Sequence, residues 1–312
     1  MPRSAPESAS PTRTAHEQGG ILTNLRLARL NRSEIAGSLG DLGTFLPLLV
    51  GMSVTNGLSF AAGLFFAGLF SIVTGLLFAV PLAVQPMKAI AAVALTERLS
   101  VPQIVAAGAA VSAIVLLLGL TGLIDTLNRI IPRSLVRGLQ LGLGLSLAMK
   151  GLQMVAATGV MFGPDSYATG GAAAVLVLAL AASRRVPAAL VLFLAGIVLA
   201  LIRKPDLFRD VGLGLWLPMW SAPTWHDFAT AFPKAALPQI PLTTLNSVVA
   251  VVVLSLDLFP SRPITPRRVA VSVGLMNLVG CWFGAMPMCH GAGGLGGQYR
   301  FGAGSNGGIL FL

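Results

Sequence analysis

The chain has 312 residues, 55% of them hydrophobic and only 10% charged, with a mean hydropathy of +0.82. A water-facing surface normally carries about 25% charged residues. A soluble enzyme or a nucleic-acid-binding domain is therefore excluded, and the class is a polytopic, all-α membrane protein. The formal net charge of +10 comes mostly from arginines lying between apolar stretches, where a membrane explains them and a nucleic-acid partner does not. Cys281 and Cys289 share one apolar stretch; they make neither a disulfide framework nor a metal-ligand spacing. No cofactor is implied.

In chain order, residues 1–20 are polar and rich in Pro, Ser and Thr, without the apolar centre of a cleavable signal. Residues 1–32 are expected to form a disordered cytoplasmic tail. Crossing ~30 Å of hydrocarbon takes about 20 apolar residues. Candidate spans lie at 35–53, 57–80, 101–124, 134–156, 170–183, 187–202, 236–256 and 267–285. Two further segments, 84–96 and 287–303, are too short or too glycine-rich to cross alone. A polar connection at 203–235 separates a first transmembrane repeat, 33–202, from a second, 236–312. With the N-terminus inside, twelve arginines from Arg26 to Arg300 fall in inner loops, against Arg98, Arg203, Lys204, Arg209 and Lys234 outside.

Three clusters carry the chemistry. Gly37 to Pro47 opens the first span with closely spaced glycines, an intramembrane acid at Asp41, and Thr44. An ionisable group inside a membrane costs roughly 2.5–3.5 kcal/mol on insertion scales, so it normally has a partner or a task; packing near the interface is the competing reading. The second cluster is Gln85-Pro86-Met87-Lys88-Ala89. Pro86 suits the first turn of a helix, and a half-helix starting there would direct free N–H groups of Met87, Lys88 and Ala89 at an anion. A snorkelling Lys88 is the alternative. The third runs from Pro287 through His290, Gly291, Ala292 and Gly293 to Arg300. Its glycine-rich start exposes backbone donors of the kind that cradle oxyanions, and His290 can donate to an anion or carry a proton. A structural histidine is the plainer reading.

Asn246 and Ser247 offer polar groups at mid-span, and Asp41, Glu97 and His290 are the proton-coupling candidates. The Pro-Met steps at Pro86-Met87 and Pro287-Met288 follow similar apolar helices. This is the pattern of paired interrupted helices in the two halves of an inverted-repeat transporter. Two positive helix ends meeting at mid-membrane favour a compact, acceptor-rich anion.

The stretches GDLGTFLPLL, VQPMKAIAAVA, LPQIPLTTLNSVVAV and GAMPMCHGAGGLGGQYRFGA resemble the signature blocks of the molybdate transporter family, a branch related to the sulfate permeases. The resemblance runs from about Gly37 to the C-terminus. It implies secondary transport of molybdate, or of sulfate or tungstate, by alternating access. It also implies a seven-plus-seven inverted repeat in which 84–96 and 287–303 are the half-helices around the substrate. Against that pattern the second repeat is incomplete at Leu312. The expected partners are the lipid bilayer and a second copy in a homodimer, and the expected location is a bacterial inner membrane. A neutral nucleobase-type symporter on the same fold is the rival reading. An intramembrane enzyme is disfavoured, because Cys289 and His290 are sequence neighbours and point apart on a helix.

Overall fold

A computed structural model of the chain describes residues 20–130, 155–180, 188–208 and 218–312, with isolated positions between 131 and 154. Most of the span expected at 134–156, and residues 1–19 of the tail, lie outside the described residues. The remainder of the expected tail is not featureless. Ile21–Leu27 forms helix α1, and its buried Asn24 donates from Nδ2 to the Leu76 carbonyl at 2.7 Å.

Local sequence sets the ends of the spanning helices. Helix α2, Arg32–Asn56, begins where the Asn31 side chain accepts from the Glu34 N–H, and it stops at Gly57, whose φ of +73° suits a residue without Cβ. Ser59 caps α3, Phe60–Phe78. This helix turns Leu64, Phe65, Leu69, Ile72 and Val73 outward and buries Phe66 and Phe70, as expected of one lipid-facing and one protein-facing side. An extended stretch leads into strand β1, Val84–Pro86, and then into helix α4, Lys88–Glu97. A reciprocal Ser100–Gln103 capping box with Pro102 in the first turn starts α5, Val101–Thr121. Helices α6, Leu123–Ile130, α7, Tyr167–Leu180, and α8, Ala188–Arg203, follow.

The longest element is α9, Trp225–Leu258, opened by a Thr224–Asp227 capping box. It begins within the connection expected to be extramembrane and continues unbroken through the span expected at 236–256. Its backbone widens by a residue per turn at Phe232–Ala236 and Thr243–Ala250. Pro233, Pro238 and Pro241 withhold N–H groups along this stretch, and such widened turns often mark functional positions. Helix α10, Pro266–Gly280, is followed by strand β2, Met288–His290, then α11, Ala292–Arg300, and α12, Gly307–Phe311. Among the described residues, α2, α3, α5 and α9 are long and apolar enough to cross a membrane.

Helices α5 and α10 pack along one another through small residues. A Cβ on Gly274 would lie 2.5 Å from that of Leu116, and one on Gly119 would lie 3.1 Å from that of Ala270, so the backbones approach closely. At one end of the molecule, side chains from distant segments converge on the carbonyls that end α3. Asn306 donates to Gly75, Arg268 to Leu77 and Arg262 to Ala79, at 2.9, 3.0 and 2.9 Å. Close by, the buried Glu34 accepts from the N–H groups of Gly304 and Gly308, both at 3.1 Å. The first and last described segments are thereby fastened together.

The architecture is mostly helical, as expected, with one departure. Strands β1 and β2 form a two-stranded antiparallel sheet inside the helical core, pairing Val84 with His290, Gln85 with Cys289 and Pro86 with Met288. A helix was expected to begin at Pro86. Instead Pro86 is extended, because the strand pair takes the chain through this position, and the helix starts at Lys88. Likewise the second segment is extended after Pro287 and becomes helical at Ala292.

Candidate functional site

Partners directly opposite in an antiparallel pair project to the same side, and successive residues alternate. Gln85 and Cys289 therefore share one face of the sheet. Val84, Pro86, Met288 and His290 share the other. This alternation divides the residues that the sequence grouped together.

On the first face, Gln85 is 1% exposed and its Nε2 has no hydrogen-bond partner. An unpaired buried amide costs on the order of 1–3 kcal/mol, so the group invites an acceptor. The Gln85 amide packs against Gly291, where an added Cβ would overlap it. It also borders Gly294, where a Cβ would lie 3.0 Å from Nε2 and 3.2 Å from the Asp41 Cγ. Asp41 is thus brought to the site from the tight turn inside α2, with Thr44 half-buried in the following turn. From α9, the buried Ser247 hydroxyl donates to the Cys289 Sγ at 3.1 Å, and the neighbouring Asn246 holds a buried Oδ1 without a partner. The half-buried Lys88 ammonium lies near enough to act electrostatically on both Asp41 and Cys289.

The two helix N-termini at the site differ. At α4 the donors are largely taken. Met87 N–H donates to the Pro287 carbonyl at 2.9 Å, and the Gln239 Oε1 accepts from Ala89 and Ile90 at 2.8 and 3.4 Å. The expectation that Met87 and Ala89 offer free N–H groups is corrected here: the Pro287 carbonyl occupies that of Met87, and a proline-flanked glutamine on α9 that of Ala89. At α11 no side chain caps the helix. Gly291, Ala292 and Gly293 begin it near Gln85, the first two buried and Gly293 half-buried. This end keeps the partial positive charge of an uncapped helix.

His290 belongs to the opposite face. Its Nε2 lies 3.0 Å from the Ser272 hydroxyl and its Nδ1 3.3 Å from the Ala83 carbonyl, with its ring edge-on to Phe78. Fully buried and engaged at both nitrogens, it holds strand to helix and is not turned toward an anion. Beside it, Asn277 of α10 accepts from Met288 N–H at 2.7 Å and donates to the Met288 carbonyl at 2.6 Å. Glu97 ends α4 in an exposed ion pair with Lys234 at 2.7 Å. It stands at the opposite end of this ten-residue helix from Lys88, about 14 Å along the axis.

Gln239, Asn277 and Cys289 were not recognised from the sequence. A polar residue in an apolar span looks the same whether it pairs with another helix or supports a strand. The one available signal was the two-residue alternation of Gln85 and Met87, or of Cys289 and Gly291, which a helical reading conceals.

The fold, with its interrupted helices meeting at a buried strand pair, is that of multi-pass membrane anion transporters of known structure. The transmembrane domain of a cyanobacterium bicarbonate transporter, BicA, superposes with a TM-score of 0.56 at 16% identity, covering 89% of this chain and 79% of that one. The murine anion transporter Slc26a9 in its inward-facing state gives 0.50 at 11% identity, over 99% and 63%. With the family match and the relatives that follow, the chain is an integral membrane transporter and not an enzyme. More particularly, residues 33–147 and 231–312 match the family described as "Molybdate transporter of MFS superfamily", and the chain belongs to that family. Molybdate transporter 2 of Arabidopsis thaliana is 41% identical over 94% of this chain and 72% of its own length. Molybdate transporter 1 of the same plant is 38% identical over 94% and 73%. Molybdate transporter 1 of Chlamydomonas reinhardtii is 34% identical over 88% and 75%. These relatives are plant and algal, so the expected bacterial inner membrane gains no support from them.

Proposed function

We propose that this protein carries molybdate across a membrane, binding the dianion on the face of the strand pair that bears Gln85 and Cys289. The uncapped start of α11 lies on one side of that site and Lys88 on the other. The observation that carries the reading is the unpartnered, buried Gln85 amide set against Gly291 and Gly294. Around it, the donors of Lys88 and the α11 N-terminus suit a tetrahedral dianion. The relatives named as molybdate transporters supply the substrate.

Burial supports alternating access. Gln85 and Cys289 are 1% and 5% exposed, so an ion reaches them only when the surrounding helices move. The inverted repeat is supported by the recurrence of one unit: an apolar helix, an extended turn, a three-residue strand and a short, partly buried helix, at α3–β1–α4 and again at α10–β2–α11. The matching residues are Gln85 and Cys289, three positions from where the Pro-Met steps would align them. Asp41 is the coupling group of this reading. Its carboxylate and a dianion repel, and taking up a proton as the anion enters removes that repulsion. Asp41 also gives the neutral-substrate symporter its one favourable observation, since an acid in the site can accept from ring N–H groups. Lys88 in the same site counts against it.

The test is uptake of labelled molybdate into proteoliposomes, with unlabelled sulfate as competitor, by the wild type and Lys88→Ala. Saturable uptake lost in the variant is expected. Saturable uptake of a nucleobase, with none of either anion, would move the assignment to the rival.

A further inference from the structure

The site holds a thiol where oxyanion sites commonly place a hydroxyl, and the structure specifies how that thiol is aimed. Cys289 sits directly across the strand pair from Gln85, and both side chains project to the face that also meets Gly291, Gly294 and Asp41. The Ser247 hydroxyl donates its proton to Sγ at 3.1 Å. A thiol has one proton of its own, and with the sulfur accepting from Ser247, that proton is free to point away from α9 and toward the Gln85 amide. The unpartnered Gln85 Nε2 independently marks this face as one that awaits an acceptor.

We propose that Cys289, oriented by Ser247, is an anion-contacting residue that selects the larger tetrahedral oxyanion. The proposal rests on the reading of the strand face as the anion site and adds to it the basis of choice between molybdate and sulfate. The two dianions share charge and shape and differ in size. Sulfur is larger than oxygen, and its donor bond is longer and weaker than that of a hydroxyl. A thiol wall therefore withholds the strong, short hydrogen bond that a small, tightly hydrated anion needs to offset its lost water, a loss that the larger, more weakly hydrated anion feels less. Rigid backing completes the device: β2 is clamped from behind by Asn277 at 2.7 and 2.6 Å, so the sulfur cannot swing back to meet a smaller ion.

The chain has two cysteines, and this makes the test clean. Cys281 is buried beside Gly108, its thiol 3.9 Å from the Asn277 Oδ1 on the helix that backs β2. In a Cys281→Ala background, proteoliposome uptake gives the molybdate KM and the inhibition constant of sulfate for Cys289, Cys289→Ser and Cys289→Ala. The serine variant is expected to improve sulfate inhibition relative to molybdate KM by roughly tenfold, the scale of one strengthened hydrogen bond to a charge. The alanine variant is expected to weaken molybdate without any gain for sulfate. An unchanged ratio in both overturns the proposal.

If the substituted proteins do not fold, labelling of the Cys289 thiol in Cys281→Ala with a small methanethiosulfonate during turnover decides the matter. Molybdate is expected to slow it at least fivefold, and equimolar chloride is not. A thiol labelled equally with and without molybdate, or never labelled during turnover, overturns the proposal, because a residue touching the anion must meet the anion's aqueous route. Wild-type protein that shows no molybdate uptake at all defeats the underlying transport reading instead.

Discussion

Two glycines on α11, a half turn apart, offer a matched test of the site's packing. Gly294→Ala places a Cβ 2.5 Å from the Ala83 Cβ, 3.0 Å from the Gln85 Nε2 and 3.2 Å from the Asp41 Cγ. The first of these neighbours is fixed to backbone and cannot rotate away, so strand and helix must separate by close to 1 Å to reach ordinary contact. Overpacking of this kind costs typically 1–3 kcal/mol. Against it stands a gain of about 1 kcal/mol from replacing glycine within a helix. Gly296→Ala has the same gain and nearly none of the cost, since its Cβ would meet only the Leu254 Cδ2, at 3.7 Å. The two variants are therefore expected to differ by about 1–3 kcal/mol, with Gly296→Ala at or above wild-type stability. Thermal melts in detergent measure that difference, and uptake kinetics report its effect on the site. Because the displaced groups are Gln85 and Asp41, Gly294→Ala should raise the molybdate KM roughly 5–100-fold if most of that strain falls on the bound state. Two variants with equal melting temperature and equal KM would refute the packing around Gln85.

Other consequences follow from the hydrogen bonds behind the sheet. Asn277→Ala leaves the Met288 N–H and carbonyl without their partner and should destabilise the protein by roughly 2–4 kcal/mol, read as a lowered melting temperature. His290→Gln should lower the melting temperature yet change the molybdate KM by less than about twofold, since its ring faces away from the site; a KM raised tenfold would return His290 to it. Glu97→Gln breaks an exposed ion pair worth less than about 1 kcal/mol, so uptake and its pH dependence should persist, whereas Asp41→Asn should abolish the response to an imposed proton gradient.

Much of this architecture was legible in the chain. Long apolar runs located α2, α3 and α5, and composition alone set apart 84–96 and 287–303, which hold the strand pair and its helices. The arginine-rich loops were also visible, and Arg262 and Arg268 acquire a second role in closing α3. What stayed hidden was register. A proline followed by apolar residues fits the first turn of a helix as well as the end of a short strand, and only pairing with a segment some two hundred positions away decides between them. That decision moved the helix start from Pro86 to Lys88 and put His290 and Cys289 on opposite faces of the sheet. The same long-range contact explains Gln239. Its amide looked like one more polar group in a span, yet it fills the helix end that was expected to receive the anion.

The most direct test of where the anion sits is crystallographic. Protein crystallised with molybdate and measured across the molybdenum absorption edge gives an anomalous peak that marks the metal's position without interpretation of the surrounding density. The peak is expected beside the strand pair, its oxygens within hydrogen-bonding reach of the Gln85 amide and the first N–H groups of α11. A peak on the His290 face of the sheet, or at the Gln239-filled start of α4, would contradict the account.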